Sequence, residues 1–280
     1  MNKYPKLIIV NIINVSQFLL YCVGALNGKH IAIKKPPKSG SRYFNYKGFT
    51  SIVLMAAVDA NYKFIWASVG HPGSNSDAGI FQRSALRAKL DANTLGLPPP
   101  EPVPHDDRPV SYHFVGDDAF PLEKWLMKPY PMRFLTPRQR IFNYRLSRGR
   151  RIVENAFGIS THRWRCMLGT FQQQPATVIS IVKGCLTLHN IIRDRIPLRP
   201  GEVDQENEDG EIIPGSWRDG VELTDNRNLI GNRNKREAKA QRNYLCDYYN
   251  SRVGAVPWQD HIVQVRPLLP DADSSESDVD

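Results

Sequence analysis

Residues 51–69 have the sequence SIVLMAAVDANYKFIWASV, which is the strongest indication of a β-sheet in the chain. Its first eight residues form an almost continuous apolar run, which is typical of a strand that is buried on both faces. Asp59, Ala60 and Asn61 have turn chemistry, and residues 62–69 return as a second strand. The stretch therefore predicts an antiparallel hairpin inside a sheet.

The sequence around the hairpin supplies the other elements of the fold. The pattern predicts strands at 23–33, 110–115 and 133–135, helices at 78–90, 142–165, 177–193 and 234–249, and a proline-rich surface insertion at 95–109. The order of strand, hairpin, helix, strand, strand and helix is that of the ribonuclease-H-like fold. We therefore expect an α/β protein with a ribonuclease-H-like mixed sheet flanked by helices.

Composition and charge narrow the class of protein. The 280 residues are 41% hydrophobic and 23% charged, with a net charge of +9, which favours a polyanionic partner over a disordered or fibrous role. The four cysteines form no CxxC pair and have no zinc spacing with histidines. This pattern argues against a disulfide framework or a zinc finger and favours a reducing compartment.

Shifts in composition divide the chain into five expected parts. These are a truncated lead-in segment at 1–22, a ribonuclease-H-like nuclease domain at 23–196, an acidic polar linker at 197–232, a basic helix at 233–258 and a disordered acidic tail at 259–280. Residues 7–25 are apolar after two lysines, as in a signal peptide, but polar residues interrupt them. The preferred alternative is the remainder of a helix and linker that joined an upstream domain.

Six short segments together carry a family resemblance. They are GALNGKHI at 24–31, NYKGFTSIVL at 45–54, SDAGIF at 76–81, GDDAFPL at 116–122, FNYRLSRGRRIVENAFG at 142–158 and LHN at 188–190. In this order they make the chain resemble the nuclease domain of PIF/Harbinger-type transposases and of the host nucleases derived from them.

The resemblance implies metal-dependent hydrolysis or strand transfer at DNA phosphodiesters, with Mg²⁺ or Mn²⁺ as the cofactor. The family's Asp-Asp-Glu triad carries over to Asn27, Asp117 and Glu154 as the catalytic and metal-binding positions. The first acid is thus a neutral amide, which cannot bridge two metal ions as a carboxylate does. Two hypotheses remain open: a nuclease of this type, or an inactive domesticated protein that binds DNA or a protein partner.

The acidic residues also have plain structural interpretations. Asp117 and Asp118, a possible additional acid, could start a turn after the fourth strand. Glu154 has Arg150 and Arg151 at helical contact spacing, which favours an ion pair within the helix. Asp77, the other possible additional acid, suits the first turn of a helix.

Residues 133–165 contain nine arginines and one acid, a net charge of +8. A solvated helix face normally mixes both signs, so this segment favours contact with DNA phosphates. The predicted DNA-binding residues are Arg145, Arg148, Arg150, Arg151, Lys34 and Lys35. The expected partners are DNA and, from the resemblance, a separate DNA-binding protein; no membrane is expected. The expected location is the nucleus, with the cytoplasm as a second compartment.

Overall fold

The computed structural model describes residues 19–207, 211–219 and 236–260. The strands are β1 (Cys22–Ala32), β2 (Ser51–Val58), β3 (Phe64–Pro72), β4 (Glu101–Pro102), β5 (Pro109–Val110), β6 (His113–Val115), β7 (Leu126–Met127), β8 (Gln205–Glu206) and β9 (Ile212–Ile213). The α-helices are α1 (Asp77–Gln82), α2 (Ala85–Asp91), α3 (Pro137–Arg163), α4 (Pro175–Arg195) and α5 (Arg236–Tyr249).

The central sheet has five strands in the order β3-β2-β1-β6-β7. Strands β1, β2 and β3 are antiparallel, whereas β1, β6 and β7 are parallel to one another. Two short hairpins, β4-β5 and β8-β9, lie outside it. This mixed sheet with flanking helices confirms the expected α/β class and is compatible with a ribonuclease-H-like fold.

Alternation along β1 sends its side chains into two separate cores. Ala25 and Ile31 belong to a core with residues of α3, α4 and α5. Leu26 points the other way, into a core with residues of α1 and α2. The sheet is therefore covered on both faces, which agrees with the apolar sequence of β2.

Helix α3 begins with a capping box. The Thr136 hydroxyl accepts from the Gln139 N–H, and the Gln139 side chain accepts from the Thr136 N–H, with Pro137 at the first helical position. The helix then crosses β1, where an added Cβ on Gly149 would overlap Leu19. An alanine there would force the Leu19 side chain to move, so the glycine allows α3 to pack closely on Leu19.

Two predicted elements differ from the observed ones. The fifth strand is Leu126–Met127, not residues 133–135, where Phe134 is 99% exposed and has a left-handed φ of 57°. The helix expected at 78–90 is divided into α1 and α2, because the Ser84 side chain caps a new helix by accepting from the Arg87 N–H.

The segment expected to be a polar linker is folded where the structure describes it. Residues 201–219 contain the β8-β9 hairpin and a 3₁₀ helix, Ser216–Arg218, whose Trp217 is fully buried. The basic helix is observed as α5, which buries Ala238 and Leu245 in the larger core. The predictions for residues 1–18, 208–210, 220–235 and 261–280 lie outside the described residues.

Within the described part of the chain, α4 is the one helix whose length and hydropathy would allow it to cross a membrane. Its apolar stripe, which includes Val178, Val182 and His189, is buried against the protein. Packing in the core accounts for this stripe.

Candidate active site

The parallel pairing of β1 with β6 brings the first two triad positions together. Ala25 lies opposite Val115 in this register. Two residues further along each chain are Asn27 and Asp117, both buried. Neighbouring strands lie about 4.8 Å apart, so the same edge of the sheet presents both side chains.

Each of these two side chains accepts a hydrogen bond from its own stretch of backbone. The Gly28 N–H donates to Asn27 Oδ1 at 2.8 Å, and the Ala119 N–H donates to Asp117 Oδ1 at 3.0 Å. Local bonds of this kind fix the orientation of a side chain. One of the two acceptor positions of the Asn27 amide oxygen is thus already occupied.

Glu154 lies on a partly exposed flank of α3. Its neighbours Val153, Ala156 and Phe157 are buried in the core. The Glu154 carboxylate forms an ion pair with Arg150, one helical turn earlier, at 4.0 Å. The predicted ion pair within the helix is therefore confirmed, and it leaves the predicted metal-binding role untested.

Asp77 lies against β1, but on the other face of the sheet. An added Cβ on Gly28 would overlap the Asp77 carboxylate, which is buried as the first residue of α1. Successive residues of a strand point to opposite faces, so Asp77 and the Asn27 side chain are on opposite faces. This position gives Asp77 a packing role. Its predicted role as an additional acid is still a prediction.

Asp118 is exposed, and a lysine lies close to it. The Lys128 ammonium donates to the Asp118 main-chain oxygen at 2.9 Å. Burial lowers the pKa of Lys128, while the charges of Asp118 and Asp117 act in the opposite direction. The Lys128 ammonium therefore lies near Asp117. The role of Asp118 as an additional acid stays a prediction.

The donor set does not fit a two-metal site. Magnesium and manganese take hard oxygen ligands, and a metal pair needs bridging carboxylates. Among the residues that the structure describes, no group of three or more His, Cys, Asp and Glu could hold a metal ion. The triad positions supply two carboxylates and one neutral amide, so the first negative charge is missing.

A positive charge stands two residues from Asn27 on the same face of β1. Burial lowers the pKa of the Lys29 ammonium to about 8, and the nearby charge of Lys47 acts in the same direction. With that pKa the side chain is still mostly protonated at neutral pH. The site therefore combines a neutral amide at the first triad position with a cation on the same strand face, which further disfavours a divalent ion.

Two of the predicted DNA-binding arginines bind an internal acid. Arg148 and Arg151 each contact Glu206 Oε2 at 3.2 Å, and the Tyr144 hydroxyl donates to the other carboxylate oxygen at 2.7 Å. The Glu206 side chain is only 2% exposed. Strand β8 thus places a carboxylate where a DNA phosphate was expected to bind.

Arg145 is buried, although the sequence analysis expected it on a DNA-binding surface. Its guanidinium lies over the Tyr249 ring, 4.1 Å from the centroid, and donates to the Gly254 carbonyl at 2.6 Å. The reason is that α5 and the chain after it cover this side of α3. Lys34 and Lys35, in contrast, are exposed directly after β1.

The contact between the 3₁₀ helix and α3 was not predicted from the sequence. The Trp217 indole N–H donates to Asn155 Oδ1 at 2.7 Å, and the Asp204 N–H donates to the same oxygen at 3.1 Å. Asp204 in turn pairs with Arg218 at 2.6 Å. The available signal was a tryptophan in an otherwise polar segment.

Residues 26–190 match the family described as "DDE superfamily endonuclease", and this range includes Asn27, Asp117 and Glu154. The chain belongs to this family. The resemblance to Harbinger-derived DDE nucleases is thereby confirmed.

Curated relatives of this DDE endonuclease family member carry matching names. The chain is 28% identical to "Putative nuclease HARBI1" of Mus musculus over 66% of this chain and 51% of that protein. It is 28% identical to the Homo sapiens protein of the same name, over 60% and 45% of the two chains. It is 31% identical to "Protein ALP1-like" of Arabidopsis thaliana, over 62% and 43%.

The chain thus spans about half the length, or slightly less, of the curated relatives that it matches. No solved structure gives a significant match.

Proposed function

We propose that this DDE endonuclease family member binds DNA phosphates and that Asn27 suppresses phosphodiester cleavage. The observation that carries the proposal is the pair of neighbouring strand positions in which Asp117 keeps its carboxylate and Asn27 does not. The DDE family typically uses divalent metal ions, and here the first ligand is a neutral amide that its own backbone engages.

The basic surface supports the DNA-binding half of the proposal. Lys34 and Lys35 are exposed beyond the end of β1, and Arg150 lies on α3 beside Glu154. Contacts of such cations with phosphates position DNA without reading its sequence. Duplex binding should therefore have little sequence preference. It should also weaken steeply as the salt concentration rises, because the counterions that binding releases then gain less entropy.

The test compares the unmodified protein with Asn27→Asp. Freshly prepared unmodified protein should bind duplex DNA but show little nicking in Mg²⁺ or Mn²⁺. The Asn27→Asp variant should bind Mn²⁺ more tightly than the parent and should nick supercoiled DNA. Its nicking rate should exceed that of the parent by several orders of magnitude if the site acts as one catalytic unit. Asp117→Ala or Glu154→Gln in the Asn27→Asp background should abolish that activity.

Two results would contradict the proposal. Robust cutting by the unmodified protein, with intact Asn27 confirmed by mass spectrometry, would show that two carboxylates suffice. Duplex binding that hardly changes between low and physiological salt would contradict the proposed binding to DNA phosphates. The Asp117→Ala control in each assay reports whether cutting arises at this site.

We also propose residence in the nucleus, with the cytoplasm as a second compartment, and the use of a separate DNA-binding partner protein. Cys22, Cys166, Cys185 and Cys246 are all free thiols, which suits a reducing compartment, and the basic charge suits nucleic acid. Imaging of a tagged full-length chain tests the location, since a signal confined to the secretory pathway would contradict it.

A further inference from the structure

The connection between β1 and β2 joins strong positive charge to exposed aromatic rings. Residues 34–50 contain five lysines and arginines and no acid. Three rings in this loop are exposed to solvent: Phe44 (54%), Tyr46 (50%) and Phe49 (36%). We call residues 34–50 the aromatic loop.

The aromatic loop is held in place by hydrogen bonds. Asn45 Oδ1 accepts from the Lys47 and Phe49 N–H groups at 3.0 and 3.2 Å, and the Asn45 amide donates to Ser51 Oγ at 2.9 Å. A backbone bridge joins Phe44 to Thr50. The rings therefore project from an ordered turn, which lowers the entropy lost when a ligand binds.

A histidine of β1 packs against two of these rings from below. The His30 ring meets Tyr46 and Phe49 edge-on, with centroids 5.9 and 6.1 Å away. His30 is three residues from Asn27, about 10 Å along the strand. The aromatic loop is thus built onto the same strand as the candidate active site.

We infer that the aromatic loop binds unpaired DNA, with bases stacked on Phe44, Tyr46 and Phe49 and phosphates beside the flanking cations. Aromatic rings interleaved with cations are the combination that single-stranded nucleic acid requires, because each base offers a flat face and each nucleotide one negative charge. In a duplex the base faces are already stacked on one another, so the rings would add little. Lys47 lies over the Tyr46 ring, with its ammonium 5.4 Å from the centroid, and the other cations of the loop are Lys34, Lys35, Lys38 and Arg42.

This inference rests on the proposed DNA-binding function and deepens it. His30 points to the face of β1 opposite Asn27, so the rings packed on it lie beside the candidate site and not on the face that carries Asn27. A substrate with an unpaired end or flap would place its duplex part at the site and its unpaired bases on the loop.

The experiment measures fluorescence anisotropy of the full-length protein with two labelled probes of equal length, an oligothymidine of about 16 nucleotides and a duplex. The double variant Phe44→Ala/Phe49→Ala should lose about 25-fold in affinity for oligothymidine, at about fivefold for each stacked ring. Its affinity for the duplex should change by less than about twofold. Phe134→Ala is the matched control, because Phe134 is also an exposed ring beside an arginine.

Several outcomes decide between the possibilities. An unchanged oligothymidine affinity, or an equal loss for both probes, would overturn the inference while leaving duplex binding in place. A shift in oligomeric mass without a change in DNA affinity would assign the rings to self-association and would also overturn it. If the unmodified protein binds neither probe, the proposed function itself fails. The Lys34→Ala/Lys35→Ala variant should have a lower affinity for both probes. Thermal unfolding checks that each variant is folded.

Discussion

Replacing Gly158 by alanine should lower the free energy of unfolding when Trp217 is present and raise it when Trp217 is absent. Gly158 lies in α3 under the buried indole, and an added Cβ at this position would overlap the ring. Trp217 cannot swing away easily because its N–H is bonded to Asn155. The contact therefore couples the helix to a segment that the sequence presents as a linker.

The size of the effect follows from three terms. Overpacking costs about 1–3 kcal/mol, and replacing a glycine inside a helix by alanine gains about 1 kcal/mol. Gly158→Ala should therefore destabilise the intact protein by up to about 2 kcal/mol. Trp217→Ala alone should cost about 3–5 kcal/mol. In that background Gly158→Ala should stabilise by about 1 kcal/mol, a coupling of about 1–3 kcal/mol.

Urea unfolding of the four proteins, followed by circular dichroism, measures this cycle. Gly184→Ala is the control, because an added Cβ there meets nothing within 4 Å on α4. It should stabilise both backgrounds by about the same amount, about 1 kcal/mol. The reasoning is refuted if Gly158→Ala has the same effect with and without Trp217.

Two further predictions concern electrostatics. Glu206→Gln should release Arg148 and Arg151, so the salt dependence of duplex binding should become steeper by about two phosphate contacts. Asp219→Asn makes the same change in charge and should leave the salt dependence unchanged. Equal slopes for the two variants would rule out competition between Glu206 and DNA phosphates. Burial lowers the pKa of both His113 and His189 to about 4, below an unfolded value of 6.5. Protonation of the unfolded chain therefore lowers the free energy of unfolding as the pH falls from 6.5 towards 4, by up to about 3 kcal/mol for each histidine. Above pH 6.5 the full stability is present. Urea unfolding across this range should show the loss, and His113→Gln should remove about half of it; a flat profile in the parent protein would contradict the assignment.

The sequence predicted the β1 to β3 part of the fold well because its signals are local. Apolar runs, alternation and a turn at residues 59–61 are enough to define strands that pair with their neighbours in sequence. The fifth strand, Leu126–Met127, has only two residues and no periodicity, so nothing local distinguishes it. The boundary between α1 and α2 depends on one serine cap, which a helical pattern across 78–90 conceals.

In the candidate site, too, some features could be predicted from the sequence and others could not. Asn27 and Asp117 could be placed together because the family resemblance assigns both to one triad, and the expected fold sets the first strand beside the fourth. The pairing of Arg148 and Arg151 with Glu206 could not, because it joins residues more than 50 positions apart through a hairpin of two-residue strands. Arg145 was misplaced for a related reason: α5 and the residues after it cover α3 only in the folded chain.

The contact between Gly28 and Asp77 also bears on how the protein ages. An asparagine followed by glycine loses ammonia when the glycine nitrogen attacks the side-chain carbonyl carbon, because glycine offers no steric hindrance, and hydrolysis of the ring leaves aspartate or isoaspartate. That attack requires the backbone to bend. Gly28 is held in an extended strand, with the Asp77 carboxylate packed against its α-carbon. The packing of α1 on β1 therefore slows the conversion of residue 27 to aspartate while the sheet is folded, so unfolding should speed it up.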